Sequence, residues 1–295
     1  YSGLINGDYK EMSEDDFRGI LTLGGTILGT KRTPFKLMRV VEEDKIDKVA
    51  AMKKTYKDAK LDCLLCLGGN GTHKTANLLS QEGLNIIGLP KTIDNDLMVT
   101  DHTPGYGSAA KYIATILKEV IRDSSVYDIR SVTVAEIMGR HAGWLAGAAC
   151  LAGGDDCEGP DLILLPEVPF DQDKFLARVD ELQRVKSNVI IAASEGVKTA
   201  DGTYLCDLVS TAGQLDAFGH KAILSGTSRY LSDLIHDNLN CKSRAIEFST
   251  LQRCASHLAS RTDVNEAYAV GGAAAAAAFA GESGRMIALK RVSNY

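Results

Sequence analysis

Residues 63–79 read CLLCLGGNGTHKTANLL, and this stretch decides the fold class. Its first five residues form an apolar run of the length of a buried strand, while the residues from His73 onwards carry apolar side chains at helical spacing. The glycines between them let backbone amides approach a phosphate closely, and a helix N-terminus adds about half a positive charge. The stretch therefore indicates a strand, a phosphate-binding turn and a helix, although an ordinary tight turn has the same composition.

A second polar loop follows the next apolar run, where residues 85–96 read NIIGLPKTIDND. Asp94 and Asp96, with Lys91 three residues before the first, form a group that can bind a divalent cation and accept a proton. An Asx-rich surface loop with capping residues is the alternative interpretation. Because the carboxyl ends of parallel strands meet at one edge of a sheet, we expect the two loops to lie side by side.

The same alternation of short apolar runs and helical segments continues along the chain, which is typical of parallel strands covered by helices. It predicts an α/β fold with parallel-rich sheets sandwiched by helices and with sites at the carboxyl ends of the strands. We assign the alanine- and glycine-rich stretch 271–281 to a closely packed helix. The predicted strands are 63–67, 85–89, 131–137, 161–165, 188–193 and 245–248, and the predicted helices are 44–60, 73–81, 108–122, 144–151, 172–185 and 219–239.

The composition narrows the class of protein. The 295 residues, 45% of them hydrophobic and 24% charged, suffice for one large or two medium cores. A net charge of −5 disfavours a nucleic-acid or anionic-membrane partner, and no apolar stretch reaches the ~18 residues of a spanning helix. The seven cysteines are scattered, and the pair Cys63 and Cys66 lacks the second pair of a zinc site. We therefore expect a cytoplasmic protein with reduced thiols, in which local Arg and Lys residues hold any anionic ligand.

The GGxGT turn followed by PKTIDND resembles the phosphofructokinase family, whose hallmark is a TIDND catalytic loop. Further segments agree with the family in order and approximate spacing: GGTILGT at 24–30 followed by Arg32, EIMGRHAG at 136–143, SEG at 194–196 and LQR at 251–253. The resemblance covers nearly the whole chain. It implies two Rossmann-like domains, which we place at 1–130 for the phosphoryl donor and at 131–295 for the sugar phosphate, with a chain that can cross between them.

The resemblance implies a 6-phosphofructokinase of glycolysis, which moves a phosphoryl group from ATP with Mg²⁺ to the 1-hydroxyl of fructose 6-phosphate and forms fructose 1,6-bisphosphate. Asp94 would take the proton from that hydroxyl, while Thr92 and Asp96 would position the substrate and the metal-bound phosphate. Lys91 and Arg32 would spread charge away from the transferring group, where phosphoryl transfer needs electrostatic help.

The resemblance also implies three sets of ligand-binding residues. The donor would contact Arg32, Gly69, Asn70, Gly71 and Thr72, and Mg²⁺ would bind near Asn70, Asp94 and Asp96. The sugar phosphate would contact Met138, Gly139, Arg140, Glu195, Arg244, Arg253 and Arg130. Since relatives share such Arg residues between subunits, we expect a homo-oligomer, either a dimer or a tetramer. Without the resemblance, an Arg of this kind is more often solvated or paired at a surface.

Several positions depart from the family pattern. Asn70 replaces an Asp that helps to hold magnesium, and a neutral amide is a poorer ligand for that ion. Thr250 stands where many ATP-dependent relatives carry a His, Cys254 and Ala255 replace glycines, and Arg130 falls one residue early. The family's first strand and its GGxxPGxN turn are also not found in the sequence, so we expect them in a preceding segment of a longer protein.

The donor is ambiguous in sequence. Pyrophosphate-dependent relatives tend to carry Asp at the position of Gly71 and Lys at the position of Lys91, whereas most bacterial ATP-dependent relatives carry Gly at both. An Asp there would occupy the volume of the nucleotide α-phosphate and repel its charge, so Gly71 favours ATP, with pyrophosphate as the alternative. A degenerate sugar-phosphate-binding regulatory subunit and an NAD or lipid kinase with a GGDGT-like loop are more distant alternatives.

Overall fold

Two parallel sheets, each covered by helices, form the described part of the computed structural model, which comprises residues 1–31, 33–209 and 225–293. The strands are β1 Leu64–Gly68, β2 Ile86–Pro90, β3 Ser131–Ile137, β4 Leu162–Leu164, β5 Asn188–Ser194, β6 Lys242–Glu247 and β7 Arg285–Met286. The first sheet has the order β1-β2-β7 and the second β4-β5-β3-β6, and all the strand pairs are parallel. The predicted α/β fold class is confirmed.

Eight α-helices lie within the described residues. They are α1 Ser2–Asn6, α2 Lys48–Asp58, α3 Asn70–Gln81, α4 Tyr106–Ser125, α5 Trp144–Ala148, α6 Gln172–Val185, α7 Thr227–Leu239 and α8 Arg261–Phe279. None of the helices in these ranges is long and apolar enough to cross a membrane. All seven cysteines are free thiols, so the pair Cys63 and Cys66 forms no disulfide.

The second sheet owes its stability to the period-2 pattern of β3 and β5. Val132 and Val134 of β3 pack with α6 and α7 on one face, whereas Ala135 and Ile137 pack with α4 and α5 on the other. The first sheet is smaller. Ile86 of β2 packs against α2 and α3 on one face, and Ile87 and Leu89 pack against α8 on the other. Both sheets therefore have helices on two faces, which leaves the carboxyl ends of the strands free for loops.

The chain returns to the first sheet after completing the second. Helix α8 packs against β2, with Val270 and Ala274 buried beside Ile87 and Leu89. Strand β7 then pairs with β2 in the register that sets Met286 against Gly88. The assignment of residues 1–130 and 131–295 to separate ligands remains a prediction.

Some helix boundaries differ from those predicted. Helix α2 begins at Lys48 rather than at 44, because Lys45 has a left-handed φ of 56° and Asp47 caps the helix. Helix α3 begins three residues earlier than predicted, so the glycine turn is itself the first helical turn. Helix α7 begins at Thr227, and residues 219–224 of the predicted helix lie outside the described residues. The alanine-rich helix is present, but Phe279 is 94% exposed instead of packed.

Candidate active site

The glycine turn places the N-terminus of α3 at the carboxyl end of β1. Gly69 is the N-cap residue, and no described side chain caps this helix. By contrast, Asp47 caps α2, Asp171 caps α6 and Ser260 caps α8 through their side-chain oxygens. The first-turn amides of α3 are therefore available to an anion, and the helix dipole favours one there.

The three glycines of the turn have different surroundings. A Cβ at Gly68 would lie 2.2 Å from the Thr72 hydroxyl oxygen, so only glycine fits beneath that side chain. A Cβ at Gly69 would meet nothing closer than the Thr92 Cβ at 3.8 Å. A Cβ at Gly71 would meet no atom within 4 Å, so the backbone there faces open space. The predicted donor residues 69–72 thus line an accessible backbone surface.

The loop at 91–96 lies beside this turn, as the strand order predicts. Gly68 is paired with Pro90 in the sheet, and the Lys91 amide donates to the Gly68 carbonyl at 3.0 Å. Within the loop, the Asp94 amide donates to the Thr92 hydroxyl at 3.2 Å, which sets the direction of the turn. Asn95 is buried and has a left-handed φ of 53°. We call residues 68–72 and 91–96 together the donor edge.

A second group of predicted residues gathers at the carboxyl ends of β3 and β5. One carboxylate oxygen of Glu195 accepts a hydrogen bond from the Gly139 amide at 3.3 Å, and the Gln252 side chain accepts one from the Met138 amide at 3.1 Å. The Ser194 hydroxyl donates to the Gly139 carbonyl at 2.7 Å. Residues 138–140, 194–196 and 252–253 form what we call the acceptor edge.

Glycine is required where the two turns of the acceptor edge touch. Gly139 has a φ of 136°, and a Cβ there would lie 2.6 Å from the Ala142 carbonyl oxygen. A Cβ at Gly196 would lie 2.2 Å from the Arg140 carbonyl oxygen. The backbones of the turns after β3 and β5 are therefore in direct contact, and this contact holds Arg140 next to Glu195.

Electrostatics connect the two edges. Burial raises the pKa of Glu195 to about 7, while the Gly139 amide and the positive charge of Arg140 oppose the rise. The carboxylates of Glu136 and Asp94 raise the pKa of Glu195 further. Ile93 of the TIDND loop and Met138 of the acceptor edge pack against the same hydrophobic core cluster, so the loop lies beside the acceptor edge.

The predicted Arg residues fall into two groups. Arg253 is exposed at the end of the 3₁₀ helix Ser249–Arg253 and forms no ion pair with any described residue. Arg244 lies within β6 opposite Thr133 and pairs with Asp123 at 3.6 Å. Opposite Thr133 it is four residues from the end of β3, which is about 13 Å along a strand. The structure thus brings Arg253, but not Arg244, to the acceptor edge.

Two further predicted Arg residues, Arg130 and Arg32, are not among the described residues of the acceptor edge. Arg130 directly precedes β3, at the opposite end of the sheet from the acceptor edge, and its guanidinium donates to the Gln183 side chain at 3.1 Å. It also lies 3.8 Å from a carboxylate oxygen of Asp180. Arg32 falls outside the described residues. The geometry of the chain therefore assigns neither residue to the donor edge or the acceptor edge.

A family model described as Phosphofructokinase matches residues 1–278 of this chain. The chain belongs to the phosphofructokinase family. The phosphofructokinase assignment predicted from the TIDND and GGxGT segments is thereby confirmed.

Several phosphofructokinases are similar over large parts of the chain. A Halomonas elongata protein named pyrophosphate–fructose 6-phosphate 1-phosphotransferase is 44% identical over 213 residues, which are 72% of this chain and 50% of the relative. A Spirochaeta thermophila protein named ATP-dependent 6-phosphofructokinase is 46% identical over 200 residues, which are 66% and 53% of the two chains. The chain thus spans about half the length of these relatives.

A solved phosphofructokinase structure supports the fold. The crystal structure of the pyrophosphate-dependent phosphofructokinase from Marinobacter aquaeolei aligns with a TM-score of 0.79 at 32% sequence identity. The alignment covers 95% of this chain and 65% of that chain. The two-sheet arrangement is therefore that of a phosphofructokinase.

Sequence reasoning missed a carboxylate that supports the phosphofructokinase acceptor edge. Glu136 is buried in β3, and one of its oxygens accepts hydrogen bonds from the Ser228 amide at 2.8 Å and the Ser228 hydroxyl at 3.0 Å. It thereby caps α7, whose Thr227 hydroxyl donates to the Glu195 carbonyl at 3.2 Å. The sequence held a signal for this role: Glu136 is a single carboxylate inside an apolar strand, and a buried carboxylate needs hydrogen-bond partners.

Proposed function

We propose that this chain carries out the phosphoryl transfer of a 6-phosphofructokinase, from a phosphoryl donor to the 1-hydroxyl of fructose 6-phosphate. The observation that carries the proposal is the nearness of the two edges: Ile93, in the TIDND loop, and Met138, on the acceptor edge, pack against the same core cluster. A donor phosphate at one edge and a sugar hydroxyl at the other would then meet at Asp94. Membership of the phosphofructokinase family supports the same reaction.

On the donor edge, we infer that backbone amides do most of the binding. The uncapped first turn of α3 offers its amides to the donor phosphates, and Gly71 leaves space beside them. Lys91 is exposed next to this turn, and it would neutralise charge on the transferring group together with Arg32. Asp94 would accept the proton of the attacking hydroxyl. Catalysis in this class of reaction is mainly positioning and electrostatic stabilisation.

On the acceptor edge, we infer that Glu195, Met138, Gly139 and Arg140 contact the sugar. Arg253 has no ion-pair partner among the described residues and would bind the 6-phosphate, since a guanidinium suits bidentate oxyanion contacts.

Arg244 and Arg130 would reach a sugar phosphate only in a neighbouring subunit. Each lies away from the acceptor edge of its own chain, in a surface ion pair with Asp123 or Asp180. Such exposed pairs contribute only about 0 to 1 kcal/mol, so a phosphate can displace them readily. This proposal requires that the protein forms a homo-oligomer.

The donor edge suits a Mg²⁺ ion that the protein and the substrate phosphates would coordinate together. No group of three or more His, Cys, Asp and Glu side chains that could hold a metal occurs within the described ranges. Asp94, Asp96 and Asn70 nevertheless provide oxygen ligands, which suit Mg²⁺, and this ion commonly keeps several waters and phosphate oxygens. Bound there, Mg²⁺ would neutralise phosphate charge, while the residues of this chain orient the hydroxyl and take its proton.

We favour ATP as the donor because Gly71 leaves open volume where an Asp would oppose a nucleotide. Pyrophosphate is the second candidate, and a specific observation favours it. Several curated relatives, including the Halomonas elongata protein, carry the name pyrophosphate–fructose 6-phosphate 1-phosphotransferase, and Lys91 is the residue expected of such enzymes.

A coupled assay on the full-length protein tests the proposal, with fructose 6-phosphate, Mg²⁺ and either ATP or pyrophosphate. We expect turnover with at least one donor, with ATP the faster. Turnover at least tenfold faster with pyrophosphate than with saturating ATP would overturn the choice of donor alone. Sugar-phosphate binding without turnover would instead identify a regulatory subunit, and phosphorylation of NAD or a lipid without sugar turnover would refute the proposed function.

A further inference from the structure

A buried carboxylate outside the predicted site joins α8 to α4. Asp263, in the first turn of α8, is 6% exposed. One of its oxygens accepts a hydrogen bond from the Gly105 amide at 2.8 Å, and the other accepts one from the Ser108 amide at 3.1 Å and one from the Ser108 hydroxyl. The same hydroxyl accepts a hydrogen bond from the Ser260 amide at 3.0 Å. Asp263 therefore caps α4 from another helix.

The capped segment holds the TIDND loop in turn. Gly105 forms a bridge with Thr92, whose amide donates to the Pro104 carbonyl at 3.3 Å. The Thr103 hydroxyl donates to the Thr92 carbonyl at 2.7 Å, and Thr103 is fully buried. Hydrogen bonds at both ends of the backbone segment 103–105 therefore connect Asp263 to the loop that contains Asp94.

The geometry leaves little freedom at this junction. Gly105 has a φ of 109°, a conformation that strongly favours glycine. The partners of the Asp263 carboxylate are backbone amides and a hydroxyl at the N-terminus of α4, where a helix dipole stabilises negative charge. Replacement of one carboxylate oxygen by the NH₂ group of Asn would leave a buried donor unsatisfied, which typically costs more than a surface hydrogen bond.

We propose that Asp263 is a positioning residue for the phosphoryl transfer: by holding Gly105, it sets the distance between the TIDND loop and the acceptor edge. The inference rests on the proposed function. Asp263 is buried between α8 and the start of α4, and it acts through Thr92. Because misplacement of a reacting group by about 1 Å can cost on the order of 100-fold in rate, a small shift of the loop is sufficient for a large effect.

The test compares Asp263→Asn with wild type by steady-state kinetics and by hydrogen–deuterium exchange of the full-length protein. We expect kcat to fall about 10- to 100-fold, while the KM for fructose 6-phosphate changes less than about threefold, since Glu195 and Arg253 are not affected. Amides of residues 91–105 should exchange about tenfold faster, while those of β5 keep their wild-type protection.

Asp171→Asn is the matched control, because Asp171 also caps a helix, with its carboxylate accepting from the Lys174 amide at 3.1 Å, but lies on α6. It should raise exchange only at the start of α6 and leave kcat unchanged. If Asp263→Asn does not fold, Ser108→Ala removes one bond of the same cluster and should raise exchange of residues 91–105 about two- to fivefold, with a smaller loss of kcat.

Wild-type exchange of residues 91–105 in the Asp263 variant, or an increase shared equally by β5, would overturn the inference. So would an unchanged kcat. A wild-type protein without turnover on fructose 6-phosphate would refute the proposed function instead, and the exchange data would still decide whether Asp263 holds the loop.

Discussion

The donor edge and the acceptor edge achieve ligand binding by different means. At the donor edge, α3 has an uncapped N-terminus, and Gly71 faces open space. At the acceptor edge, side chains are bonded to the backbone on both turns, as in the contacts of Glu195 with Gly139 and of Gln252 with Met138. A backbone surface of this kind accepts a phosphate without rearrangement, whereas the side-chain network fixes the shape of a site for a larger ligand.

The difference predicts how substitutions will act. A side chain added at Gly71 of the donor edge should change ligand binding but not folding, because a Cβ there has no neighbouring atom within 4 Å. A change at Glu195 or Gln252 of the acceptor edge should alter binding and stability together, because each of these side chains holds a backbone amide of the facing turn. Asp94 belongs to the donor edge, but its proposed role is in the transfer step, so its loss should affect neither binding constant strongly.

The largest effect is expected for Asp94→Ser. Loss of a positioned base typically lowers the rate by about 10²- to 10⁴-fold, so kcat should collapse while the KM values of both substrates stay within a few fold. Steady-state kinetics with each substrate varied in turn measures this. Asp58→Ser, at the exposed end of α2, is the control and should match wild type. A variant that keeps more than a tenth of wild-type turnover would exclude Asp94 as the base.

Arg253→Ala should weaken the binding of fructose 6-phosphate at the acceptor edge without affecting the binding of the phosphoryl donor. Removal of a charge-assisted phosphate contact costs about 1.5 to 3 kcal/mol, so the KM for fructose 6-phosphate should rise about 10- to 100-fold while the donor KM changes little. Arg178→Ala removes a surface Arg that pairs with Glu181 on α6 and serves as the control. A rise in the donor KM without a rise in the sugar KM would contradict the assignment of Arg253.

Gly71→Asp should act on the donor edge alone. The variant should fold at least as well as wild type, because a carboxylate in the first turn of α3 interacts favourably with the helix dipole. Its ATP turnover should fall about tenfold more than its pyrophosphate turnover, since the added charge opposes a nucleotide α-phosphate. Thermal unfolding and the paired donor assay measure the two quantities.

Gly71→Ala is the matched variant for this prediction, because it adds a Cβ without charge at a position with no atom within 4 Å. It should retain ATP turnover within about threefold, since a methyl group removes little volume. Equal losses with ATP and pyrophosphate in the Asp variant would refute the proposed role of Gly71 in donor choice.

The smallest effect concerns stability at the acceptor edge. The folded protein raises the pKa of Glu195 to about 7 from an ordinary value of 4.5, so folding favours the protonated form. The stabilisation from this group is therefore complete below about pH 4.5 and is lost as the pH rises towards 7. Glu195→Gln should remove that loss and raise the free energy of unfolding by about 1 kcal/mol at pH 8 relative to wild type.

Urea unfolding at pH 4.5 and pH 8 measures this effect, with Glu181→Gln on the surface of α6 as the control. The control should follow the pH dependence of wild type. If Glu195→Gln shows that same dependence, the carboxyl group of Glu195 is not the source of it, and the acceptor edge is more hydrated than its burial indicates.

Local patterns predicted much of the architecture. The apolar runs yielded β3 with its observed bounds, and the helical spacing did the same for α6. The start of α3 was misplaced because glycines are poor helix formers, and only the tertiary setting reveals that Asn70 and Gly71 are already helical. The motif segments also predicted that candidate residues meet at the donor edge and the acceptor edge, because parallel strands end on the same side of a sheet.

The main strands and helices and the family motifs were predictable, because both are encoded within short segments. The return of α8 and β7 to the first sheet, the raised pKa of Glu195 and the hydrogen bond from Gly105 to Asp263 became apparent only in the folded chain. These features depend on contacts such as that between Gly105 and Asp263, 158 residues apart, and on desolvation, which no local pattern records.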